Sequence, residues 1–199
     1  MLLWINGPFG GGKTQTAFEL QHRVPDALVC DPEEVGFGLQ RVLPKEMRTD
    51  FQEFKAWRQG VVETLDAVLS KHDGTVIAPM TVVVPAYFDE TVGRLRELGH
   101  DVHHFTLLAR PETVRKRLKE RGLYGLWYES WALGQVDRCL DALQAEEFAE
   151  HIHTDHLPIR EVADRIAASA GLPITPNTDT ALRRQWRRLR VGIEHMRLP

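Results

Sequence analysis

Cysteines and long apolar runs are both scarce in this 199-residue chain. The two cysteines, Cys30 and Cys139, lie far apart and neither belongs to a C-x-x-C pair, which argues against a metal or redox site built from cysteine. No stretch approaches about 18 consecutive apolar residues, so no transmembrane helix is predicted. The first residues lack the basic segment and the apolar length of a cleavable signal. We therefore expect a protein of the reducing cytoplasm.

A strong net charge is also lacking over the chain as a whole. The formal charge of −3 argues against a general nucleic-acid-binding surface, and we expect no nucleic acid as a partner. The charges are unevenly placed, however, because residues 178–199 carry six arginines and two carboxylates. This asymmetry predicts a basic tail, residues 177–199, with a partner of its own. The remainder, residues 1–176, is expected to form one domain.

Glycine is concentrated near the N-terminus, in the stretch MLLWINGPFGGGKTQTAFEL. Gly7, four further residues and then Gly12-Lys13-Thr14 complete the phosphate-binding pattern G-x-x-x-x-G-K-[ST]. The apolar residues 2–5 before it predict a strand, and residues 14–20 after it predict a helix. Such glycines let backbone amides wrap phosphates, and the helix N-terminus adds partial positive charge. A plain glycine-rich turn is the alternative, but such turns rarely end in Gly-Lys-Thr at this spacing.

This motif predicts an ATP site with Mg²⁺. Lys13 would reach the β- and γ-phosphates as a catalytic cation, and the Thr14 hydroxyl would hold the metal. The predicted ATP-binding residues are Gly7, Pro8, Phe9, Gly10, Gly11, Gly12, Lys13, Thr14 and Gln15.

Apolar and helical segments alternate along the rest of the chain. Further strands are predicted at 27–30, 75–79, 102–109 and 151–154. Helices are predicted at 33–42, 50–71, 85–98, 111–121 and 158–170, and another helix follows residues 122–130 and ends at about residue 148. This alternation predicts an α/β protein with a five-stranded parallel sheet and helices on both faces. Because the carboxyl ends of parallel strands share one edge, the loop of residues 7–14 should meet Asp31 and Thr81 there.

Three residues near that edge are predicted to contact a substrate, namely Asp31, Thr81 and Arg58. Asp31 follows the second strand and could accept a proton from an acceptor hydroxyl, as a catalytic residue, or help hold Mg²⁺ through water. Its alternative role is to cap the helix that starts at Pro32, and capping does not exclude chemistry. Arg58 lies off the apolar stripe of helix 50–71 and could face the substrate. The third strand does not end in an aspartate, so no Walker B acid is apparent.

A basic helix at 111–121 is followed by an aromatic, glycine-bearing segment, and together they predict a lid at about residues 115–131. Arg117 and Arg121 lie four apart on one helical face, so both could stabilise transferred-phosphoryl charge as catalytic residues. The alternative is a solvated basic face. His103 and His104 lie inside a strand, one facing each side, and we expect a buried, hydrogen-bonded histidine without metal.

The tail carries apolar residues at spacings of three and four from Leu182 to Met196, with arginines between them. This pattern predicts a basic amphipathic helix at residues 179–197. Such a helix can lie in a membrane interface, which would place the protein peripherally at the inner face of the membrane. Docking on the protein's own domain with the arginines outward is the alternative, and the sequence leaves both open.

Several of these stretches resemble the bacterial tunicamycin-resistance proteins across most of the chain. The resemblance is carried by residues 4–20, the Asp31-Pro32-Glu33 step, residues 78–81, residues 103–107 and residues 135–139. These proteins are similar in turn to nucleoside-monophosphate, shikimate and chloramphenicol kinases. The resemblance therefore implies a P-loop NTPase of nucleoside-monophosphate-kinase type, with ATP and the nucleoside antibiotic tunicamycin or a related molecule as partners.

The resemblance leaves three functions open. The first is a phosphotransferase that modifies a hydroxyl of the drug, with Asp31 as base or orienter. The second is an ATP-dependent protein that sequesters the drug or guards its membrane target, which needs Lys13 but not the chemistry of Asp31. The third is a kinase for a small metabolite.

Overall fold

A computed structural model describes residues 1–120 and 126–177, and within them five parallel strands form one sheet. The strands are β1 (Leu2–Asn6), β2 (Leu28–Val29), β3 (Val76–Pro79), β4 (Val102–Leu108) and β5 (His151–His153). Their order across the sheet is β2-β3-β1-β4-β5, and every neighbouring pair is parallel. The five-stranded parallel sheet predicted from the sequence is therefore confirmed.

Helices connect the strands and cover both faces of the sheet. They are α1 (Lys13–Arg23), α2 (Pro32–Val42), α3 (Lys55–Leu69), α4 (Pro85–Phe88), α5 (Arg94–Glu97), α6 (Pro111–Glu120), α7 (Leu126–Leu143) and α8 (Ile159–Ser169). A π-helical segment, Asp89–Gly93, joins α4 to α5, and 3₁₀ turns lie at Lys45–Met47, Phe51–Glu53 and Glu146–Phe148.

The central strand β1 is buried on both sides. Leu2 and Trp4 face a core that α3, α4, α5, α6 and α7 cover, whereas Leu3 and Ile5 face a second core under α1 and α8. A strand covered on both faces has an apolar run rather than an alternating pattern. Burial on both faces explains why residues 2–5 are all apolar. The loop that follows them therefore starts from a strand that is packed on both sides.

Two predicted helices differ from the observed ones. The helix predicted at 50–71 begins as the 3₁₀ turn Phe51–Glu53, capped by Asp50, and extended backbone at Phe54 separates that turn from α3. The helix predicted at 85–98 contains the π-helical segment instead of regular turns throughout. There the Thr91 hydroxyl donates to the Tyr87 carbonyl at 2.7 Å and competes for a helical acceptor. Both differences are local, and the predicted alternation of strands and helices is unchanged.

The two adjacent histidines of β4 face opposite sides, as predicted. His104 is buried, its ring lies 4.6 Å from that of Phe88, and its Nδ1 is 3.0 Å from the Ala149 carbonyl. Burial lowers the pKa of His104 to about 4, although the Ala149 hydrogen bond opposes this change and nearby Arg96 and His151 add to it. His103 stays about one-third exposed, 3.1 Å from Asp101.

The last described residues are fastened to α1 and α8. The buried Arg23 guanidinium donates to the Thr175 carbonyl at 2.8 Å and pairs with Asp164. The backbone amide of Thr175 donates in return to the Arg23 carbonyl at 2.9 Å. These contacts attach residue 175 to the domain, and the boundary at residue 176 stays a prediction.

Some predicted features lie outside the described residues. They are the tail helix at 179–197, Arg121 and residues 122–125 of the predicted lid. Among residues 1–120 and 126–177, no helix is long and apolar enough to span a bilayer.

Candidate phosphate-binding site

The predicted phosphate loop begins at a buried asparagine at the end of β1. The Asn6 side chain accepts from the Gly7 amide at 2.8 Å and from the Val82 amide at 3.0 Å, and donates to the Val82 carbonyl at 2.8 Å. One side chain therefore joins the start of the loop to the segment that follows β3. Because Asn6 is fully buried, loss of its partners would leave polar groups unpaired without access to water.

The loop needs glycine at defined positions. Gly7 has φ +147°, and a Cβ atom there would lie 2.8 Å from the Leu107 carbonyl oxygen. Gly12 caps α1 with φ +97°, in the left-handed region. Side chains rarely tolerate such angles, so these glycines let the backbone turn before the helix starts. The amides at a helix start have no acceptor inside the helix, which makes this turn suited to an anion.

The predicted catalytic lysine lies folded across the loop. The Nζ atom of Lys13 is 3.1 Å from the carbonyl oxygens of both Gly7 and Pro8, and 5.7 Å from the centre of the Phe9 ring. Lys13 is only 8% exposed. A cation so held is directed at the loop's own concave backbone, where phosphates bind in P-loop proteins.

Thr81 is placed behind this loop. Its hydroxyl donates to the Gly7 carbonyl at 2.8 Å, and the residue is buried. That hydroxyl therefore supports the loop, while a contact between Thr81 and a substrate stays a prediction.

The donors in the first turn of α1 fit a triphosphate with Mg²⁺. Thr14 and Gln15 are half-buried residues in this turn, directly after Lys13. Mg²⁺ prefers oxygen ligands and usually binds through one or two protein oxygens together with substrate phosphates. The hydroxyl of Thr14, the ammonium of Lys13 and the turned backbone are the set that this combination requires.

Asp31 lies on the same edge of the sheet and caps α2. Its Oδ1 atom accepts from the Glu33 amide at 2.9 Å, and Pro32 starts the helix. The sheet order places β3 between β2 and β1, so Asp31 and the loop follow strands that are two positions apart on the same edge. Capping, one of the two roles considered for Asp31, is thus present, and its chemical role stays a prediction.

Arg58 is held by three partners near the start of α3. Its Nε donates to Glu90 at 2.7 Å, its guanidinium also donates to the Gln52 carbonyl, and its Cζ atom lies 4.4 Å from the Tyr87 ring centre. Arg58 is 8% exposed. These contacts fix α3 against the segment after β3, and a substrate contact for Arg58 stays a prediction.

Arg117 connects the basic helix α6 to the end of β5. Its guanidinium donates to the Thr154 carbonyl at 2.7 Å and to the Thr154 hydroxyl at 3.0 Å. That hydroxyl donates in turn to the Leu108 carbonyl at 3.1 Å. Arg117 therefore lies at the carboxyl edge, beside the ends of β4 and β5, and its action on phosphates stays a prediction.

The neighbouring Asp155 fixes the start of α6. It accepts from the Thr113 hydroxyl at 2.7 Å and from the Arg110 amide at 3.0 Å. Burial acts to raise the pKa of Asp155, but the hydrogen bonds from Thr113 and Arg110 outweigh it and lower the pKa below its ordinary value. Asp155 thus stays ionised and holds α6 at the edge.

The structure therefore gathers most of the predicted residues on one edge of the sheet. Residues 7–15 follow β1, Asp31 lies just after β2 and Thr81 lies just after β3. Arg117 contacts Thr154 at the end of β5. Sequence reasoning did not assign Asn6 a role, although it lies within the stretch that carries the family resemblance. The sequence signal for such a role is a polar residue placed between the apolar strand and the first glycine of the loop.

Comparison with known proteins agrees with this geometry. Residues 2–145 match a family model described as an AAA domain. No curated protein sequence matches the chain.

Several solved structures are similar to this one. The tunicamycin resistance protein of Deinococcus radiodurans has 33% sequence identity and a TM-score of 0.74, over 88% of this chain and 98% of that chain. A sugar kinase from a Janibacter species has 18% identity and a TM-score of 0.63, over 86% and 94% of the two chains. Shikimate kinase from Bacteroides thetaiotaomicron has 14% identity and a TM-score of 0.60, over 86% and 99%. The two kinases show that the fold is that of P-loop kinases.

Proposed function

We propose that this chain, which belongs to the family of tunicamycin resistance proteins, is a phosphotransferase that moves the γ-phosphoryl group of ATP to a hydroxyl of tunicamycin or a related nucleoside-like molecule. One observation carries the proposal: the loop that contains Lys13 and the carboxylate Asp31 lie on the same edge of the sheet, after strands that are two positions apart. In this arrangement the reacting phosphate and the acceptor hydroxyl would lie between the loop and Asp31.

Binding of ATP would use contacts that the loop now makes with itself. The Lys13 ammonium would exchange the carbonyl oxygens of Gly7 and Pro8 for oxygens of the β- and γ-phosphates. The residues of the turn, held open by Asn6 and by the glycine angles, would donate their amides to the phosphates. Mg²⁺ held by the Thr14 hydroxyl would neutralise charge between the β- and γ-phosphates.

The transfer step needs a hydroxyl, a base and positive charge. The acceptor oxygen attacks the γ-phosphorus, the bond between that phosphorus and the β–γ bridging oxygen breaks, and its electron pair leaves with ADP. The hydroxyl proton passes to the Asp31 carboxylate. Lys13 and Arg117, with Arg121 as a further proposed contributor, stabilise charge on the transferred group.

A conservative pair of variants tests the step. Asp31→Asn keeps a side chain that caps helices as well as aspartate does, but it removes the base. Asp50→Asn is the matched control, because Asp50 also caps a helical turn, through the Gln52 amide at 3.0 Å. Each protein is incubated with tunicamycin and Mg-ATP, and the drug is analysed by mass spectrometry. We expect one added phosphoryl group with the unchanged protein and with Asp50→Asn, and a rate at least 10²-fold lower with Asp31→Asn.

A second function is drug sequestration or protection of a membrane target in an ATP-dependent way. The capping bond of Asp31 favours it, since a structural role alone explains that residue. Sequestration predicts intact drug bound stoichiometrically, and resistance in cells that carry Asp31→Asn. Unmodified drug in the mass spectra of all three proteins would contradict the phosphotransferase proposal.

A further inference from the structure

Each of the two carbonyl oxygens that hold Lys13 has a second donor. The Gly7 carbonyl accepts from the Nζ atom of Lys13 at 3.1 Å and also from the Thr81 hydroxyl at 2.8 Å. The Pro8 carbonyl accepts from the same Nζ atom at 3.1 Å and also from the Gly11 amide at 2.9 Å. A carbonyl oxygen has two lone pairs, so each can keep both donors at once. Both carbonyls therefore stay paired when the ammonium moves away.

The second donor is important because this part of the loop is shielded from water. Thr81 is 2% exposed, and Gly7 and Pro8 are buried. A buried carbonyl that loses its hydrogen-bond donor is destabilising. Without the Thr81 hydroxyl, movement of Lys13 towards a phosphate would take from the Gly7 carbonyl the remaining side-chain donor that the described residues provide. The hydroxyl thus removes a free-energy cost that would oppose nucleotide binding.

The backbone of Gly7 is also held in place by other contacts. Its amide donates to the Asn6 side chain at 2.8 Å, and that side chain also accepts from the amide of Val82, the residue after Thr81. Close packing adds to this, since a Cβ atom at Gly7 would lie 2.8 Å from the Leu107 carbonyl oxygen. The Gly7 carbonyl therefore cannot turn towards another donor unless these contacts break.

We propose that Thr81 is a positioning residue that releases Lys13 to the nucleotide. Its hydroxyl keeps the Gly7 carbonyl paired, so the Lys13 ammonium can exchange the loop carbonyls for phosphate oxygens at little cost. The inference rests on the ATP site of the proposed function, and it applies equally to phosphoryl transfer and to drug sequestration. The Gly11 amide has the same effect on the Pro8 carbonyl, but a backbone donor is not removed by a side-chain substitution. Thr81 is thus the part of the arrangement that a variant can test.

Calorimetric titration of the full chain with Mg-ATP tests the release of Lys13. Thr81→Val removes the hydroxyl and keeps a branched side chain, whereas Thr81→Ser keeps the hydroxyl. Thr106→Val is the matched control, because the buried Thr106 hydroxyl also donates to a distant carbonyl, that of Phe148, at 2.6 Å. We expect the dissociation constant of Mg-ATP to rise about tenfold for Thr81→Val and to stay within about twofold for Thr81→Ser and Thr106→Val. Thr81→Cys, with a weakly donating thiol, should raise it about threefold and provides a second, milder variant.

Urea unfolding without nucleotide measures whether Thr81 and Lys13 share an acceptor. Thr81→Val and Lys13→Met each leave the Gly7 carbonyl one of these two donors, whereas the double variant removes both. We expect the folding equilibrium constant of the double variant to be about tenfold lower than the product of the two single effects predicts. The effects of Thr106→Val and Lys13→Met should multiply within about twofold, because the acceptors of these two side chains differ. A threonine that only fastened the loop would show no such coupling to Lys13.

Three results would overturn the proposal and leave the ATP site intact. They are unchanged Mg-ATP affinity in Thr81→Val, an equal loss of affinity in Thr106→Val, and effects of Thr81→Val and Lys13→Met on folding that simply multiply. Absence of saturable Mg-ATP binding by the unchanged protein is a different outcome, because it would contradict the proposed function itself and the role of Thr81 with it.

Discussion

Acidification from neutral pH to pH 5 should destabilise this protein through one buried histidine. The pKa of His104 is about 4 in the folded protein, against an ordinary value of 6.5. The unfolded chain therefore binds a proton as the pH falls through 6.5, whereas the folded protein does not until about pH 4. The contribution of neutral His104 to the free energy of unfolding is fully present above pH 6.5 and is lost as the pH falls towards 4.

The size of the effect follows from the two pKa values. At pH 5 the unfolded histidine is mostly protonated and the folded one mostly neutral, which lowers the free energy of unfolding by about 2 kcal/mol relative to neutral pH. Below pH 4 the loss levels off at about 3 kcal/mol. The pKa of Asp155 lies below its ordinary 3.8, so this carboxyl does not titrate between pH 5 and 7.

Urea unfolding at pH 5, 6 and 7 measures this loss, and one substitution isolates it. His104→Asn keeps an N–H donor near the position of Nδ1 for the Ala149 carbonyl but cannot titrate. His103→Asn is the matched control, because His103 is the adjacent, partly exposed histidine on the other face. Asparagine leaves a gap beside Phe88 that lowers stability at every pH, so the comparison is between slopes.

We expect the free energy of unfolding of His104→Asn to fall about 2 kcal/mol less between pH 7 and 5 than that of the unchanged protein. The His103→Asn slope should match the unchanged protein. Equal slopes for all three proteins would refute the assignment of this loss to His104.

Other predictions concern the loop, α6 and the tail. Lys13→Ala should abolish the heat of Mg-ATP binding in calorimetry, because the loop loses its cation. Asn6→Ala should lower the free energy of unfolding by about 3 kcal/mol in urea, since three buried hydrogen bonds are lost. Arg117→Ala should reduce turnover about 10³-fold, whereas Lys116→Ala, on the exposed face of α6, should not. Truncation after Pro176 should weaken salt-dependent liposome binding if the tail binds lipid, and should unfold the domain at lower urea concentrations if the tail docks.

The phosphate loop and the sheet could be predicted from the sequence because their signals are local. The apolar run of β1, the spacing from Gly7 to Thr14 and the helix that follows all lie between Leu2 and Arg23. Alternating strands and helices then restrict the sheet to a parallel one, whose carboxyl edge gathers the loops. No distant contact had to be known for either inference.

The supports of the site could not be predicted because they join distant parts of the chain. Asn6 and Val82 are 76 residues apart, and Arg58 and Glu90 are 32 apart. Which residues meet is decided by the order β2-β3-β1-β4-β5, and neither composition nor periodicity reveals that order. Arg58 illustrates the consequence, since its position off the apolar stripe does not reveal that Glu90 is its partner.

These supports share one segment, residues 81–90, which joins the phosphate loop to Arg58 at the start of α3. The first residue of the segment donates to the Gly7 carbonyl, and the second pairs with the Asn6 side chain. Its last residue, Glu90, holds Arg58 at the start of α3. A ligand that displaces Arg58 from Glu90 must therefore disturb a segment bonded directly to the loop that holds Lys13. If a substrate contacts Arg58, as predicted, this continuity would connect that contact to the phosphate site through the two hydrogen-bonded ends of ten consecutive residues.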